Sequence, residues 1–387
     1  MRAKWISGVF LFVFVLVQPV WGKALELEPE PGITERENGQ PTSLYGYGEM
    51  HFNSPKGGTN QMDFHRLVIG ISHQFNSWIS FHSEVDLEHG FAEPYVEYAH
   101  LDLELNSAFN VRAGSVLVPM GFTNEYHEPP VFFSVERPLV ENRIIPTTWP
   151  EGGAGLFGSL LPGLRYRVYL VSGLDALGDE DRAEQFCKDG FTAGSGLRGG
   201  RCKAAESSSE DFAVVGRIEY TSFPGLQLGI SGYRGGADQG KIPGADVTVT
   251  MWDVDAQLRY AGFDLQGLYV RATIDDVAAL NAAKGFTGSQ SVGEQLFGWY
   301  VTLGYHLGGL MASGQDLVPF VRYEQLDTQD KVPAGFSRDL ANDQKVITTG
   351  IAYYPHERVA LKGDHQIFDR EDGTTLRQFN LGVGWMF

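Results

Sequence analysis

Residues 251–260 alternate without a break: Trp252, Val254, Ala256, Leu258 and Tyr260 fall on one face, and Asp253, Asp255, Gln257 and Arg259 on the other. Side chains along an extended chain point to opposite faces in turn, so a period of two defines a strand with one apolar and one charged face. The pattern recurs. At 164–170, Leu164, Tyr166, Val168 and Leu170 oppose Arg165 and Arg167; at 98–105, Ala99, Leu101, Leu103 and Leu105 oppose His100, Asp102 and Glu104. In a barrel that crosses a membrane the charged face must meet an aqueous lumen, because a charge on the lipid face near the midplane costs about 2–4 kcal/mol.

Sixteen strand segments are predicted, at 44–52, 62–74, 78–87, 95–105, 109–118, 153–161, 164–172, 212–221, 226–233, 247–260, 263–272, 296–307, 317–326, 345–354, 358–368 and 375–387. Their connections alternate between tight turns such as Pro162-Gly163 and Ala261-Gly262, and long links such as 120–152, 175–210, 273–295 and 327–344. A soluble sandwich has no reason to sort loop length by parity, whereas a transmembrane barrel has short periplasmic turns and long outer loops. The last segment alternates Phe379, Leu381, Val383, Trp385 and Phe387 with Gln378, Asn380, Gly382, Gly384 and Met386. Its terminal aromatic resembles the closing strand by which outer-membrane barrels are recognised for insertion.

The remaining composition fits export. Residues 1–24 place Arg2 and Lys4 before an apolar run at 9–17, with Gly22 and Ala24 as small residues for cleavage. That reads as a secretory signal. Residues 25–43, acidic and proline-bearing, read as a flexible periplasmic lead-in, and 44–387 as the barrel. The net charge of −18 becomes −20 once Arg2 and Lys4 are removed, or −21 without Lys23, which repels nucleic acid phosphates.

One segment resists the strand reading. Residues 118–155 hold Pro119, Pro129, Pro130, Pro138, Pro146 and Pro150, and proline donates no ladder hydrogen bond. Yet Phe122, Tyr126, Phe132, Phe133, Ile144, Ile145 and Trp149 make the segment too apolar for a solvated linker. It is the third outward loop, and it is expected to fold back into the lumen and narrow it.

Residues 111–158, VRAGSVLVPMGFTNEYHEPPVFFSVERPLVENRIIPTTWPEGGAGLFG, resemble the matching region of the phosphate-selective porin O and P family. There an R-x-G strand runs into P-x-G, then an E-R-P/S-L-V segment, then a glycine-rich strand. The resemblance implies a sixteen-stranded, usually trimeric diffusion channel of the Gram-negative outer membrane, bathed in lipid and lipopolysaccharide, whose third loop forms the constriction.

The namesake members gather lysines and arginines at that constriction, and this chain does not. Its 120–152 loop sets Glu125, Glu128, Glu136, Glu141 and Glu151 against Arg137 and Arg143. Glu125, Glu128, Glu136 and Glu141 are therefore expected to border the narrowest point, with Arg137, Arg143, Arg165 and Arg167, and with Arg112 on the wall nearby. Other lumen candidates mix signs, among them Arg66, Arg217, Arg322 and Lys362 beside Glu84, Glu219, Glu324 and Asp364. Opposed charge rows suit dipolar solutes, while acidic groups at a constriction favour cations. The expectation is a general pore for small hydrophilic solutes or ions, weakly cation-preferring or nearly unselective.

Other chemistry is sparse. Ten histidines form no spaced ligand set such as H-E-x-x-H, so no metal or cofactor is predicted. Glu125, His127 and Glu128 read as a solvated loop cluster. No G-x-S-x-G turn is present, and Ser80 and His82 merely share a strand face, so no enzyme is predicted. Cys187 and Cys202 lie in the 175–210 loop of an exported chain and are expected to pair. The alternative to a channel is a plugged barrel acting in adhesion or as the sleeve of an envelope complex.

Overall fold

The computed structural model describes residues 41–179 and 186–387. The expected signal peptide, and the lead-in up to residue 40, lie outside the described residues. Among the described residues there are sixteen strands. The first eight are β1 (Thr42–Pro55), β2 (Gln61–Asn76), β3 (Ile79–Glu88), β4 (Glu93–Glu104), β5 (Asn110–Leu117), β6 (Pro150–Leu161), β7 (Leu164–Ser172) and β8 (Phe212–Tyr220). The second eight are β9 (Leu226–Gly236), β10 (Thr248–Tyr260), β11 (Phe263–Ile274), β12 (Gln295–Tyr305), β13 (Asp316–Lys331), β14 (Asp343–His356), β15 (Val359–Arg370) and β16 (Thr375–Met386). Neighbours in sequence pair antiparallel, and β1 pairs with β16 from Tyr47↔Met386 to Pro55↔Gln378. The result is a closed transmembrane-type β-barrel.

Every strand expected from alternation forms, with shifted ends. β1 begins at Thr42, inside the expected lead-in, and β6 begins at Pro150, a first-residue position where a missing N–H costs nothing. β13 runs on past Leu326 to Lys331. Its added residues, Asp327, Thr328, Gln329, Asp330 and Lys331, are all polar and carry no alternation to read.

The two faces divide by chemistry. Val168, Leu170, Ile218, Ile230, Trp252 and Val254 are exposed on the outside. Arg167, Arg217, Glu219, Asp253 and Asp255, one position away in each case, are buried inside. Toward the end of the barrel that carries the long connections, the inner face turns apolar. There Tyr169, Val171, Val215, Tyr233, Met251 and Tyr300 join a buried cluster with Val118, Met120, Val140, Ile144 and Trp149 of the proline-rich segment. The main core of the molecule is this contact between segment and inner wall.

One irregularity positions the site described below. In the β1–β2 ladder Glu49 faces Arg66 and His51 faces Asp63, so Phe64 and His65 together oppose Met50. A bulge of this kind re-aims a side chain. It brings His65 to the same side as Arg66, where its ring stacks on His51 at 4.5 Å between centroids.

Candidate functional site

A proline-rich segment without ladder partners still has backbone amides and carbonyls to satisfy. Inner-face side chains supply the partners. The Gly121 amide donates to Asp253 of β10 at 3.2 Å, the Val135 amide to Asp364 of β15 at 2.7 Å, and the Leu139 amide to Glu324 of β13 at 2.7 Å. From the wall, Arg322 donates to Ser134 Oγ at 2.6 Å, Lys362 to the Ser134 carbonyl at 3.0 Å, and Arg66 to the His127 carbonyl at 2.5 Å. Asn124 ties the two ends of the segment together: its Nδ2 donates to the Val118 carbonyl at 2.6 Å, and its Oδ1 accepts the Trp149 amide at 2.7 Å.

The fit is close. A Cβ on Gly384 of β16 would sit 2.4 Å from Pro129 Cβ, and one on Gly298 of β12 would sit 2.9 Å from a Val140 methyl. The small face of the last strand is therefore room for the segment.

Beside the segment lies a cavity of about 480 Å³ lined by charges of both signs. Its basic residues are Arg137 from the segment, and Arg198, Arg201 and Lys203 from the connection between β7 and β8. Arg137 donates to Thr148 Oγ1 at 3.1 Å, and Arg201 to the Pro146 carbonyl at 3.0 Å. The Lys203 ammonium sits over the Tyr95 ring at 3.7 Å and the Phe186 ring at 4.3 Å, a cation–π arrangement. Burial, reinforced by the charge of Arg201, brings Lys203 down to about 7. The same lining includes His51, His65, His89, Glu88, Glu93 and Glu136. Burial works against ionisation of Glu136, but hydrogen bonds from His51 and Asn53 hold it at about 2.

The residues expected at one narrow point do not share one place. Glu136, Arg137 and Glu141 line the large cavity. Glu141, however, is fully buried: it accepts the Phe122 and Thr123 amides at 2.6 Å each and the Tyr300 hydroxyl at 2.7 Å. Glu125, Arg112 and Arg167 meet at a separate pocket of about 20 Å³, where Glu125 lies 3.2 Å from Arg167. Arg112 forks onto Asp102 at 2.8 Å through two nitrogens, and Arg165 pairs with Glu219. Glu128 and Arg143 line neither space; the Arg143 carbonyl accepts the Leu197 amide.

Inner-face charges pair with neighbours rather than opposing one another across the barrel. Arg217 donates to both oxygens of Asp255 at 2.6 and 2.9 Å and lies 3.5 Å from Glu219. His127, expected in a solvated cluster, is buried with its Nε2 2.8 Å from both the Tyr47 hydroxyl and Glu97. Ser80 and His82 lie 3.0 Å apart and are both buried.

Sequence reasoning missed Arg198, Arg201 and Lys203. The signal was present as LRGGRCK at 197–203, a basic run in a chain of net charge −18. That run abuts the bond joining Cys187 to Cys202, whose Cα atoms are 4.8 Å apart. Glu151 accepts the Cys202 amide at 3.2 Å, which ties the basic run to the start of β6.

The chain matches no family model. It is 31% identical over 361 residues to a protein of Aquifex aeolicus (strain VF5) described only as uncharacterized, a match spanning 89% of this chain and 80% of that protein. The chain belongs to that protein's family. The family's barrel has solved counterparts. OmpF of Salmonella typhi, solved with daunomycin, is 16% identical with a TM-score of 0.59, covering 89% of this chain and 97% of that one. An anion-selective porin of Comamonas acidovorans is 12% identical with a TM-score of 0.59, covering 89% and 99%. OmpT of Vibrio cholerae, in its trimer form, is 10% identical with a TM-score of 0.56, again covering 89% and 99%. At such identities the likeness is one of fold: this family has the sixteen-stranded porin barrel.

Proposed function

We propose that the chain is an outer-membrane porin for passive diffusion of small hydrophilic solutes or ions, with residues 118–149 folded into the lumen as its constriction. The observation that carries this reading is the bonding of the segment to inner-face side chains on β2, β10, β13 and β15. Those strands are spread around the ring, so a segment reaching all of them has to cross its interior. Export through a cleaved signal, contact with lipid and lipopolysaccharide, and a homotrimer agree with the barrel and with the trimer form of the Vibrio cholerae counterpart.

Membership of the phosphate-selective porin O and P family is a narrower reading, carried by residues 111–158 alone. Selectivity follows from the cavity. Glu125 is matched by Arg167 and Glu141 is buried, so the cation preference implied by loop composition weakens. Arg137, Arg198, Arg201 and Lys203 share the cavity with Glu88, Glu93 and Glu136, so its charge is mixed. Nearly unselective conduction is the outcome this supports.

The plugged-barrel alternative draws on the buried apolar cluster between segment and wall. Planar-bilayer recording separates the two. A channel gives discrete conductance steps, reversal near zero in a potassium chloride gradient, and larger steps when residues 124–140 are deleted. Absence of steps from a correctly folded barrel would establish the plug. Unchanged steps after the deletion would place the constriction elsewhere.

A further inference from the structure

We infer that Asp63, His65 and His89 form a binding site for a divalent transition-metal ion at the rim of the large cavity. The three lie on β2 and on the turn after β3, and no sequence spacing links them. The fold does: Asp63 Oδ2 is 3.1 Å from His65 Nδ1 and 2.9 Å from His89 Nδ1, and the three donor atoms lie within 4.8 Å of one another.

Two backbone features bring these side chains together. The β1–β2 bulge opposes Phe64 and His65 to Met50, which turns His65 inward beside Arg66. His89, at φ 50°, opens a run of three left-handed residues with Gly90 at 67° and Phe91 at 73°. A left-handed histidine and phenylalanine are costly, and such strain persists only where surroundings over-determine it.

The donor set fixes the chemical class. Two imidazole nitrogens and one carboxylate oxygen suit zinc, copper or nickel, whereas calcium and magnesium prefer oxygen alone. Metal bonds of about 2.0–2.1 Å at tetrahedral angles set donor atoms roughly 3.3 Å apart, so the two spacings from Asp63, 3.1 and 2.9 Å, need to open by only a few tenths of an ångström, and the histidine nitrogens already lie within 4.8 Å of each other. For the ion to bind, each neutral imidazole carries its proton on Nε2, which leaves Nδ1 as the ligand atom. Glu88 and Glu93 group with His89 apart from Asp63 and His65, so a solvent water completes the coordination of the ion. The side chains of Asp63, His65 and His89 are 29%, 31% and 44% exposed, so an ion reaches them from solvent.

The test is calorimetric titration of the full barrel in detergent with zinc chloride. One ion per chain is expected, with Asp63→Asn and His89→Ala each weakening affinity at least ~10-fold, since even outer-shell changes cost that much. His73→Ala, on the same strand but outside the cluster, should bind as the parent does. Absence of zinc uptake, or uptake unchanged in both variants, overturns the site; equal binding of calcium or magnesium overturns its class. Should a variant fail to fold, copper(II) loaded on the unaltered protein decides: its paramagnetic resonance spectrum must show coupling to two nitrogens, and none or one refutes the assignment. Binding is read without any current, so failure here leaves the channel reading untouched.

Discussion

The Asn124 amide side chain reinforces the backbone bond from the Val118 amide to the Trp149 carbonyl that joins the two ends of the proline-rich segment, and its removal is the sharpest test at the residue scale. Asn124→Ala takes the acceptor from the buried Trp149 amide, which costs about 1–3 kcal/mol without a partner, while the Val118 carbonyl keeps the Met120 amide at 2.7 Å. The folded band on an unheated gel should collapse at lower temperature; an unchanged transition would mean that the ends are held by something else. Lys203 gives a second test. Because burial and Arg201 bring it to about 7, its protonated fraction rises from about one-tenth at pH 8 to about nine-tenths at pH 6. Glu88, Arg198 and Arg201 and the rings of Tyr95 and Phe186 surround it, and His51, His65 and His89 line the same cavity. Relative anion permeability should therefore increase as pH falls across that window, and Lys203→Met should remove part of the change. An identical shift in parent and variant would assign it to the histidines. The linked stability runs the same way: the unfolded lysine takes up its proton near its ordinary value and the folded one only near 7, so this group lowers stability as pH falls between those values. None of this was legible from residue type. Glu125, Glu136 and Glu141 look alike in sequence, yet one is ion-paired, one is held ionised by His51 and Asn53, and one accepts two buried amides.

At the scale of elements the sequence was far more readable, because lipid imposes the same demand on every strand. Sixteen alternating segments became sixteen strands, and the turns fell between them. What could not be read was the partner of each inner face, since that contact joins residues far apart in the chain. Gly382 and Gly384 look like the polar or small side of an ordinary strand; they are the floor on which Val135 and Pro129 rest. Gly384→Val should drive a methyl into Pro129 and cost about 1–3 kcal/mol through overpacking. Val383→Leu, one residue away on the exposed face, should be silent in the same thermal assay. Equal tolerance of both changes would mean that the segment does not lie against β16 in solution.

For the whole molecule, the closing seam runs out to the last residue. The Phe387 amide donates to the Gly46 carbonyl at 2.8 Å and the Gly46 amide to the Phe387 carbonyl at 3.0 Å, so the terminal aromatic extends the β1–β16 seam. Deleting Phe387 should lower the heat-modifiable fraction recovered from the membrane, and full recovery would show that the seam closes without it. Among the described strands β1 and β16 stand at opposite ends of the sequence, so without β16 one edge of β1 has no partner. An unpaired edge offers its amides and carbonyls to any strand that arrives. A chain broken off anywhere between β2 and β16 is thus not a narrower pore but an open ribbon, ready to accept a strand from another copy. The difference between a closed vessel and an open sheet therefore lies in one twelve-residue strand.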